Sequence, residues 1–178
     1  MFVMRIFALL LGLVTLPAAA PLAVASETTE FQSIDGGTLD LAQWRGQPVL
    51  VVNTASRCGF AGQFDGLQDL YDRYRARGLV VVAVPSDDFK QELNSDAAVK
   101  EFCELNFDID LPMTTITHVK GEEAHPFFRQ LSEKHGYTPS WNFNKVLIGP
   151  DGDYVAGWGS TTLPLSAPIT GQIEPLLD

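Results

Sequence analysis

The chain has 178 residues, of which 46% are hydrophobic, and this composition suits one domain with a single substantial core. Its formal net charge is −10, and an acidic surface argues against anionic partners such as nucleic acid and acidic membranes. The sequence contains two cysteines, Cys58 and Cys103, so any thiol chemistry depends on these residues. In an exported protein, such a pair forms either a structural disulfide or a redox pair that cycles.

The first 25 residues predict a secretory signal peptide. A short positive start is followed by an apolar stretch from Ile6 to Leu16 and by small residues that end in Ala23-Val24-Ala25. The apolar stretch is too short to span a bilayer comfortably. We therefore expect cleavage before Ser26, one domain over residues 26–178, and export to the bacterial periplasm or the medium without stable membrane insertion afterwards. An uncleaved signal anchor is the alternative.

The first half of the domain predicts a β-hairpin and a βαβ unit. Residues Phe31 to Leu41 alternate in polarity around an Asp-Gly-Gly turn, which is typical of a small hairpin. Residues 48–53 form a nearly continuous apolar run, as expected for a central strand that is covered on both faces. A helical pattern from Gln63 to Arg77 and a β-branched run from Leu79 to Val84 follow. Together they predict two parallel strands with a crossover helix.

The second half continues with alternating helices and strands. The predicted elements are a helix from Asp96 to Asn106 capped by Ser95 or Asn94, a short strand beyond Pro112, a helix from Ala124 to His135, strands Lys145 to Ile148 and Tyr154 to Gly157, and a last helix from Leu165 to Leu177. This order predicts a thioredoxin-like α/β fold, with a central mixed β-sheet flanked by helices and an N-terminal β-hairpin.

Cys58 lies in the loop between the strand at 48–53 and the helix that follows it. Near a helix start, unpaired N–H groups and the positive end of the helix dipole favour a thiolate, and Arg57 adds a positive neighbour. This context predicts an activated, nucleophilic thiol. A buried structural cysteine is the alternative, because free cysteines are often buried.

The position that would complete a Cys-x-x-Cys motif after Cys58 is occupied by Ala61. A thioredoxin or a disulfide isomerase needs a second thiol there to release its mixed disulfide quickly, so this chain is poorly suited to general dithiol exchange. A single activated thiolate instead suits attack on the O–O bond of a peroxide. That reaction produces a sulfenic acid, which another thiol must reduce.

Three ordered motifs extend this interpretation. Residues 53–60 read Asn-Thr-Ala-Ser-Arg-Cys-Gly-Phe, residues 63–71 read Gln-Phe-Asp-Gly-Leu-Gln-Asp-Leu-Tyr, and residues 141–145 read Trp-Asn-Phe-Asn-Lys. In these motifs, and over nearly the whole mature chain, the sequence resembles the glutathione peroxidases in their cysteine-containing form. The resemblance implies a thioredoxin-like fold, reduction of hydrogen peroxide or organic and lipid hydroperoxides, and no metal or organic cofactor.

The resemblance also implies catalytic roles for particular residues. Cys58 would be the peroxidatic nucleophile, and the N–H groups of Trp141 and Asn142 would stabilise its thiolate and polarise the departing oxygen. The alternatives are a packed core aromatic for Trp141 and a turn residue for Asn142. Gln91 is the candidate for the family's glutamine donor, although it comes one residue earlier than in the family's Phe-Gly-Gly-Gln-Glu-Pro segment. Its alternative is an exposed loop glutamine.

Cys103 lies in a segment that resembles the one bearing the resolving cysteine of thioredoxin-dependent members. The resemblance implies that Cys103 condenses with the sulfenic acid of Cys58 and that a thioredoxin-like dithiol or another small thiol reduces the disulfide. The helical spacing of Val99, Phe102 and Cys103 places the thiol toward the core. Disulfide closure would then require local unwinding of the helix if the two cysteines are far apart. A merely buried thiol is the alternative.

Departures from the family pattern bear on partners and assembly. The stretch from Pro112 to Trp141 lacks the insertion with which tetrameric animal members build their interface, so we expect a monomer. The basic segment that often follows the last hairpin is replaced by Gly157-Trp158-Gly159-Ser160, which disfavours specific glutathione binding. Lys145 is either a surface strand residue or part of the site.

Two other functions remain open from the residues alone. One is an exported thiol–disulfide reductase, which Ala61 disfavours, and the other is a redox sensor in which oxidation of the two cysteines alters a partner surface. The histidines, His118, His125 and His135, show no metal-ligand spacing with the cysteines, so we expect them to be solvated or capping residues.

Overall fold

The computed structural model describes residues 29–177, so the predicted signal peptide lies outside the described residues. Six strands and four α-helices follow one another in the predicted order, apart from one predicted strand, with short 3₁₀ turns between or after some of them. The strands are β1 (Glu30–Gln32), β2 (Thr38–Asp40), β3 (Val49–Thr54), β4 (Val80–Pro85), β5 (Lys145–Ile148) and β6 (Tyr154–Trp158); the helices are α1 (Gln63–Tyr74), α2 (Asp96–Phe107), α3 (Pro126–His135) and α4 (Ala167–Ile173).

The central sheet is mixed and has the strand order β4-β3-β5-β6. β3 and β4 pair in parallel, and α1 connects them, which confirms the predicted βαβ unit. β5 runs antiparallel to both β3 and β6, while β1 and β2 form the separate N-terminal hairpin. The thioredoxin-like fold predicted from the order of the elements is therefore the observed fold.

Both faces of the sheet are covered by apolar residues. Every residue of β3 and β4 is buried, as the continuous apolar runs predict. Leu50 and Val52 join the core on the side of α1, α2 and α4, whereas Val49 and Val51 join the core beneath α3 and the hairpin. This alternation follows from the two-residue period of a strand.

The loops that carry the sequence motifs meet at one edge of the sheet. Because β3 and β4 are parallel and paired in register, Thr54 and Pro85 end at the same edge. β5 runs in the opposite direction, so its first residue, Lys145, lies at that edge as well. The topology therefore brings the loop of Cys58, the loop of Gln91 and the residues before β5 together.

The strand predicted beyond Pro112 does not form. Only isolated bridges occur there, from Met113 to Ala83 and from Thr114 to Ser33. Proline lacks the N–H that a strand ladder needs, and the segment is too short to pair further. These two bridges nevertheless join the N-terminal hairpin to the edge of the central sheet.

The predicted helices form, although several of their boundaries shift. Ser95 caps α2 by accepting a hydrogen bond from the N–H of Ala98, as expected. α3 starts at Pro126, two residues later than predicted, because His125 serves as its N-cap. The last predicted helix is divided into α4 and a 3₁₀ turn at Glu174–Leu176, where Pro175 interrupts the helical ladder. Within residues 29–177, no helix has the length and apolar composition needed to cross a bilayer.

Lys90 adopts a backbone conformation that is unfavourable for a side chain. Its φ is 60°, in the left-handed region, and the preceding turn is closed by a 2.9 Å hydrogen bond from its N–H to the carbonyl of Asp87. The Lys90 side chain is exposed and lies 3.6 Å from the Asp87 carboxylate, an ion pair of little energetic value at that exposure. Little in the fold therefore compensates for the strain of a left-handed lysine.

Replacing Lys90 with glycine should stabilise the protein. We expect Lys90→Gly to raise the free energy of unfolding by about 0.5–1 kcal/mol, because the left-handed penalty of about 1–2 kcal/mol exceeds the entropic cost of glycine. Lys90→Val is the matched control and should lower it by about 1 kcal/mol, since a β-branched residue is more crowded at positive φ. Urea unfolding of the reduced protein measures both variants. Equal stability of the two variants would contradict strain at residue 90.

Candidate active site

Cys58 lies in a series of tight turns between β3 and α1 and is only 5% exposed. Its Sγ accepts a hydrogen bond from the N–H of Phe60 at 3.5 Å, and its carbonyl accepts one from the N–H of Ala61 at 2.9 Å. α1 begins at Gln63, as predicted, and the turns of Cys58 lead directly into it. The turn itself is tight enough to direct an N–H to the sulfur before the helix begins.

Gln91 and Asn142, which are far apart in the sequence, meet at this edge of the sheet. The Nδ2 of Asn142 donates to the Oε1 of Gln91 at 3.0 Å. The backbone carbonyl of Gln91 accepts a hydrogen bond from the N–H of Arg57, the residue before Cys58, at 2.9 Å. Because Oε1 is taken by Asn142, Gln91 has its Nε2 hydrogens available for another acceptor.

The early position of Gln91 in its motif does not remove it from the site. Lys90, directly before Gln91, adopts a left-handed conformation at the place where the family's segment has paired glycines. Gln91 is half-buried, so the structure does not support its description as an exposed loop residue.

Trp141 and Asn142 differ in exposure. Trp141 is 41% exposed, so it is not a packed core aromatic, and its ring lies 5.3 Å from the ring of Phe89 between centroids. Asn142 is completely buried, and its carbonyl accepts a 2.6 Å hydrogen bond from the Oγ of Ser160. The two neighbours thus present an indole at the surface and an amide inside.

Asn53, near the end of β3, anchors residues 141–144, which we call the Trp141 segment. Asn53 was not identified from the sequence as a candidate site residue. Its Nδ2 donates to the carbonyl of Trp141 at 3.0 Å, and its Oδ1 accepts from the N–H of Asn144 at 3.1 Å. Its backbone carbonyl also accepts a 2.6 Å hydrogen bond from the N–H of Phe143. The position of Asn53 five residues before Cys58, within the first motif, was the available signal.

Lys145 belongs to the site and not to the surface. It is completely buried, and its Nζ donates to the Oε1 of Gln63 and, at 2.8 Å, to the carbonyl of Phe143. The Nε2 of Gln63 in turn donates to the carbonyl of Ser160 at 2.7 Å. Burial lowers the pKa of Lys145 to about 8. The lysine therefore joins the start of β5 to the start of α1 beneath the site.

Glu92 is a second residue that sequence reasoning missed. It is only 4% exposed, and its Oε1 accepts hydrogen bonds from the N–H of Ser56 at 3.0 Å and of Leu93 at 2.8 Å. Burial raises the pKa of Glu92, although the Ser56 and Leu93 groups partly oppose the rise. Its place directly after Gln91 in the same motif was the signal that could have identified it.

Unpartnered polar atoms concentrate at this edge of the sheet. Among residues 29–177, the buried side-chain nitrogen and oxygen atoms without a hydrogen-bond partner are Thr54 Oγ1, Ser56 Oγ, Glu92 Oε2 and Asn142 Oδ1. All four belong to the segments that meet around Cys58.

Cys103 lies on α2 and faces the core, as its helical spacing predicts. It is 1% exposed and packs in the same apolar cluster as Val99 and Cys58. Burial, followed by the charges of Glu92 and Glu104, raises the pKa of Cys103 to about 12. Both cysteines are free thiols in this structure.

The three histidines occupy capping or exposed positions. The Nδ1 of His125 accepts from the N–H of Phe127 at the start of α3, which confirms a capping role. His118 is exposed and pairs with Asp88 at 2.7 Å, and His135 stacks on the ring of Tyr154. Residues 29–177 hold no group of three or more histidine, cysteine and acidic side chains that could bind a metal ion.

The raised pKa of Cys103 predicts a pH-dependent contribution to stability. In the unfolded chain this thiol ionises near pH 8.5, whereas in the folded protein it stays protonated to about pH 12. Its contribution is therefore complete below pH 8.5 and declines as the pH rises toward 12, by roughly 1.4 kcal/mol per pH unit. The stability difference between the wild type and Cys103→Ala should shrink by about 2 kcal/mol between pH 8.5 and pH 10.

Val99→Ala is the matched control, because it removes a buried side chain from the same face of α2 without removing a titrating group. Its stability difference from the wild type should not change with pH. Urea unfolding under reducing conditions measures both differences across the pH range. A pH-independent difference for Cys103→Ala would show that the thiol titrates normally in the folded protein.

Comparison with known proteins agrees with this geometry. The glutathione peroxidase family profile matches residues 27–132. A glutathione peroxidase of Lactococcus lactis is 36% identical over 136 residues, covering 74% of this chain and 87% of that protein. The glutathione peroxidase-like peroxiredoxin GPX5 of Chlamydomonas reinhardtii is also 36% identical, over 151 residues that cover 82% of this chain and 92% of that protein.

The solved structure of Trgpx in apo form superimposes on this chain with a TM-score of 0.64 at 30% identity, covering 85% of this chain and 97% of Trgpx. The family match ends before Trp141, but the relatives and the superposition extend over most of both chains. The sequence matches and the shared fold together show that this chain belongs to the glutathione peroxidase family and is a peroxidase, an oxidoreductase with peroxide as its acceptor.

Proposed function

We propose that this chain is a two-cysteine thiol peroxidase in which Cys58 is the nucleophile. The observation that supports this role is the hydrogen-bonded connection from the Cys58 loop, through Gln91, to Asn142. The thiolate of Cys58 attacks the terminal oxygen of a hydroperoxide, an S–O bond forms, and the O–O bond breaks. Cys58 becomes a sulfenic acid, and the departing alkoxide or hydroxide takes up a proton and leaves as alcohol or water.

The amide N–H groups at the site and the indole of Trp141 are donors that suit this step. Charge develops on the departing oxygen as the O–O bond breaks, and fixed donors in a partly dehydrated pocket stabilise that charge well. Asn142 is buried and positioned by the segment that Asn53 anchors, so its amide need not reorganise during the reaction. Gln91 contributes its free Nε2 hydrogens.

Cys103 completes the cycle by condensing with the Cys58 sulfenic acid to give a disulfide and water. Both residues lie in one apolar cluster, which supports their pairing, and local opening of α2 would release Cys103 from the core. A thioredoxin-like dithiol then reduces the disulfide. The Gly157–Ser160 segment offers no cation for the carboxylates of glutathione, and this supports a protein dithiol as the reductant.

An apolar cleft beside Cys58 supports organic hydroperoxides, including those of lipids, as substrates. The cleft has a volume of about 350 Å³ and is lined by Gly59 and Phe60, which follow Cys58, and by residues 163–165. Leu163 is 59% exposed within this lining. An alkyl chain placed there would cover apolar surface that otherwise faces water.

The predicted signal peptide places the proposed activity outside the cytoplasm, in the bacterial periplasm or the medium. The reductant would then be an exported thioredoxin-like protein, and the enzyme would act as a monomer without membrane insertion.

Variants of the two cysteines test the cycle. Stopped-flow mixing of the reduced protein with hydrogen peroxide should show rapid consumption of one equivalent and formation of an intramolecular disulfide. Cys58→Ser should slow peroxide consumption by at least about 10³-fold, because no thiolate remains at the site. Cys103→Ser should keep the first oxidation and lose cycling with a supplied thioredoxin.

The same experiment separates the alternative functions. A redox sensor would be oxidised once and would not turn over with the dithiol, and a thiol–disulfide reductase would reduce insulin efficiently. Peroxide consumption by Cys58→Ser at the wild-type rate would contradict the proposed nucleophile.

A charge in the apolar cleft tests the substrate preference. For Leu163→Asp, we expect the ratio of kcat/KM for cumene hydroperoxide to kcat/KM for hydrogen peroxide to fall about tenfold, equivalent to about 1.4 kcal/mol of apolar contact. Leu105→Asp is the matched control, because Leu105 is 77% exposed on α2 and does not line the cleft. An unchanged ratio in Leu163→Asp would show that the cleft does not bind the organic hydroperoxide.

A further inference from the structure

Glu92 has no role in the first step proposed above, yet its burial is costly. A carboxylate that is 96% buried normally has all its oxygens hydrogen-bonded or neutralised by a cation. Glu92 satisfies Oε1 with two backbone N–H groups, but Oε2 has no hydrogen-bond partner among the residues that the structure describes. The Ser56 hydroxyl is close enough to lower the pKa of this carboxyl, but it does not reach hydrogen-bonding geometry with Oε2.

The position of Glu92 connects the two cysteines. Its Oε1 accepts from the N–H of Ser56, two residues before Cys58. Its own segment leads within four residues into α2, which bears Cys103, and its charge acts on the Cys103 thiol. The carboxylate is therefore hydrogen-bonded to the loop of Cys58, and it lies four residues before the helix that bears Cys103.

Other charged groups around Cys103 are less suited to exchange a proton with it. A cavity of about 240 Å³ on the other side of the thiol is lined by Asp35, Lys100, Glu104 and Asp110. The acidic side chains there are more than half exposed, and Lys100 pairs with Asp35. Water competes for such exposed carboxylates, whereas Glu92 is shielded from it.

We propose that Glu92 is the catalytic base and acid of the second step, taking the proton of Cys103 and passing it to the hydroxyl group that leaves Cys58. This inference rests on the two-cysteine cycle proposed above. As Cys103 attacks, the S–S bond forms, the S–O bond of the sulfenic acid breaks, and water departs. The Cys103 sulfur is oxidised, the Cys58 sulfur is reduced, and Glu92 returns to its starting state without another reactant.

The electrostatic surroundings of Glu92 suit this role. Burial is the main cause of its raised pKa, and the negative charge of Asp87 raises it further. A carboxyl group with a raised pKa is a stronger base toward a thiol than an exposed carboxylate is. The groups that act on it are Asp87 and Leu93 from its own loop and Ser56 from the Cys58 loop, and its own charge acts on Cys103 of α2.

Glu92→Gln tests the proposal, because the amide oxygen keeps the acceptor for Ser56 and Leu93 while the proton-carrying oxygen is lost. Reduced protein is mixed with one equivalent of hydrogen peroxide, quenched at intervals and alkylated. Mass spectrometry of the intact protein then follows the sulfenic acid and the disulfide separately. At pH 7 we expect disulfide formation to slow at least tenfold. The difference in rate from the wild type should narrow as the pH rises from 7 to 10, because each pH unit increases the small ionised fraction of Cys103 about tenfold. With excess peroxide, the longer-lived sulfenic acid should proceed to sulfinic acid.

Glu104→Gln is the matched control, because Glu104 is an exposed carboxylate whose charge also acts on Cys103. It should form the disulfide at the wild-type rate. Equal rates of disulfide formation in Glu92→Gln and the wild type would overturn the proposal. The proposal would also be overturned if Glu92→Gln slowed the oxidation of Cys58 and the formation of the disulfide equally and at every pH. Glu92 would then only hold the Cys58 loop. Absence of any disulfide in the wild type would overturn the two-cysteine cycle itself, and this inference with it.

Discussion

The attachment of Asn53 to residues 141–144 is the interaction on which the site depends. Asn53 is 1% exposed, and it engages this segment with both its side chain and its backbone: Nδ2 donates to Trp141, Oδ1 accepts from Asn144, the carbonyl accepts from Phe143, and the N–H donates to Asn144. Each such bond contributes only about 1 kcal/mol net, but a buried partner left unpaired costs about 1–3 kcal/mol. The end of β3 and the Trp141 segment therefore hold one arrangement relative to each other.

This attachment has a consequence for the two loops on either side of it. β3 leads directly from Asn53 into the turns of Cys58. Asn142 directly follows Trp141, whose carbonyl accepts the hydrogen bond from Asn53. Asn142 then reaches Gln91, whose carbonyl is bonded to Arg57. The three segments form a closed circuit of hydrogen bonds that includes the loop of Cys58. Lys145 and Gln63 join the starts of β5 and α1 next to that circuit, so the side chains that we propose as donors are held in place by the fold.

Much of this architecture can be predicted from the sequence, for physical reasons. The apolar runs of β3 and β4 and the helical spacing around Cys103 reflect local periods, which a sequence displays directly. The start of α1 at Gln63, directly after the turns of Cys58, follows from the same kind of helical spacing. The burial of Glu92 and the meeting of Gln91 with Asn142 depend on side-chain contacts between distant segments. A linear pattern suggests such contacts only when a motif already marks both partners.

The two thiols share one apolar cluster, but their surroundings give them different reactivities. Cys103 is enclosed by α2 and by the negative charges of Glu92 and Glu104, and the resulting rise in its pKa keeps it protonated at neutral pH. A protonated thiol attacks peroxide poorly, so we expect direct oxidation of Cys103 by peroxide to be slow. Cys58 instead lies in a tight turn, directly before the residues that line a cleft, and its sulfur accepts a hydrogen bond from the N–H of Phe60. In the two-cysteine cycle that we propose, this difference imposes an order of reaction, because Cys103 becomes a nucleophile only when a base takes its proton and an oxidised sulfur is there to attack.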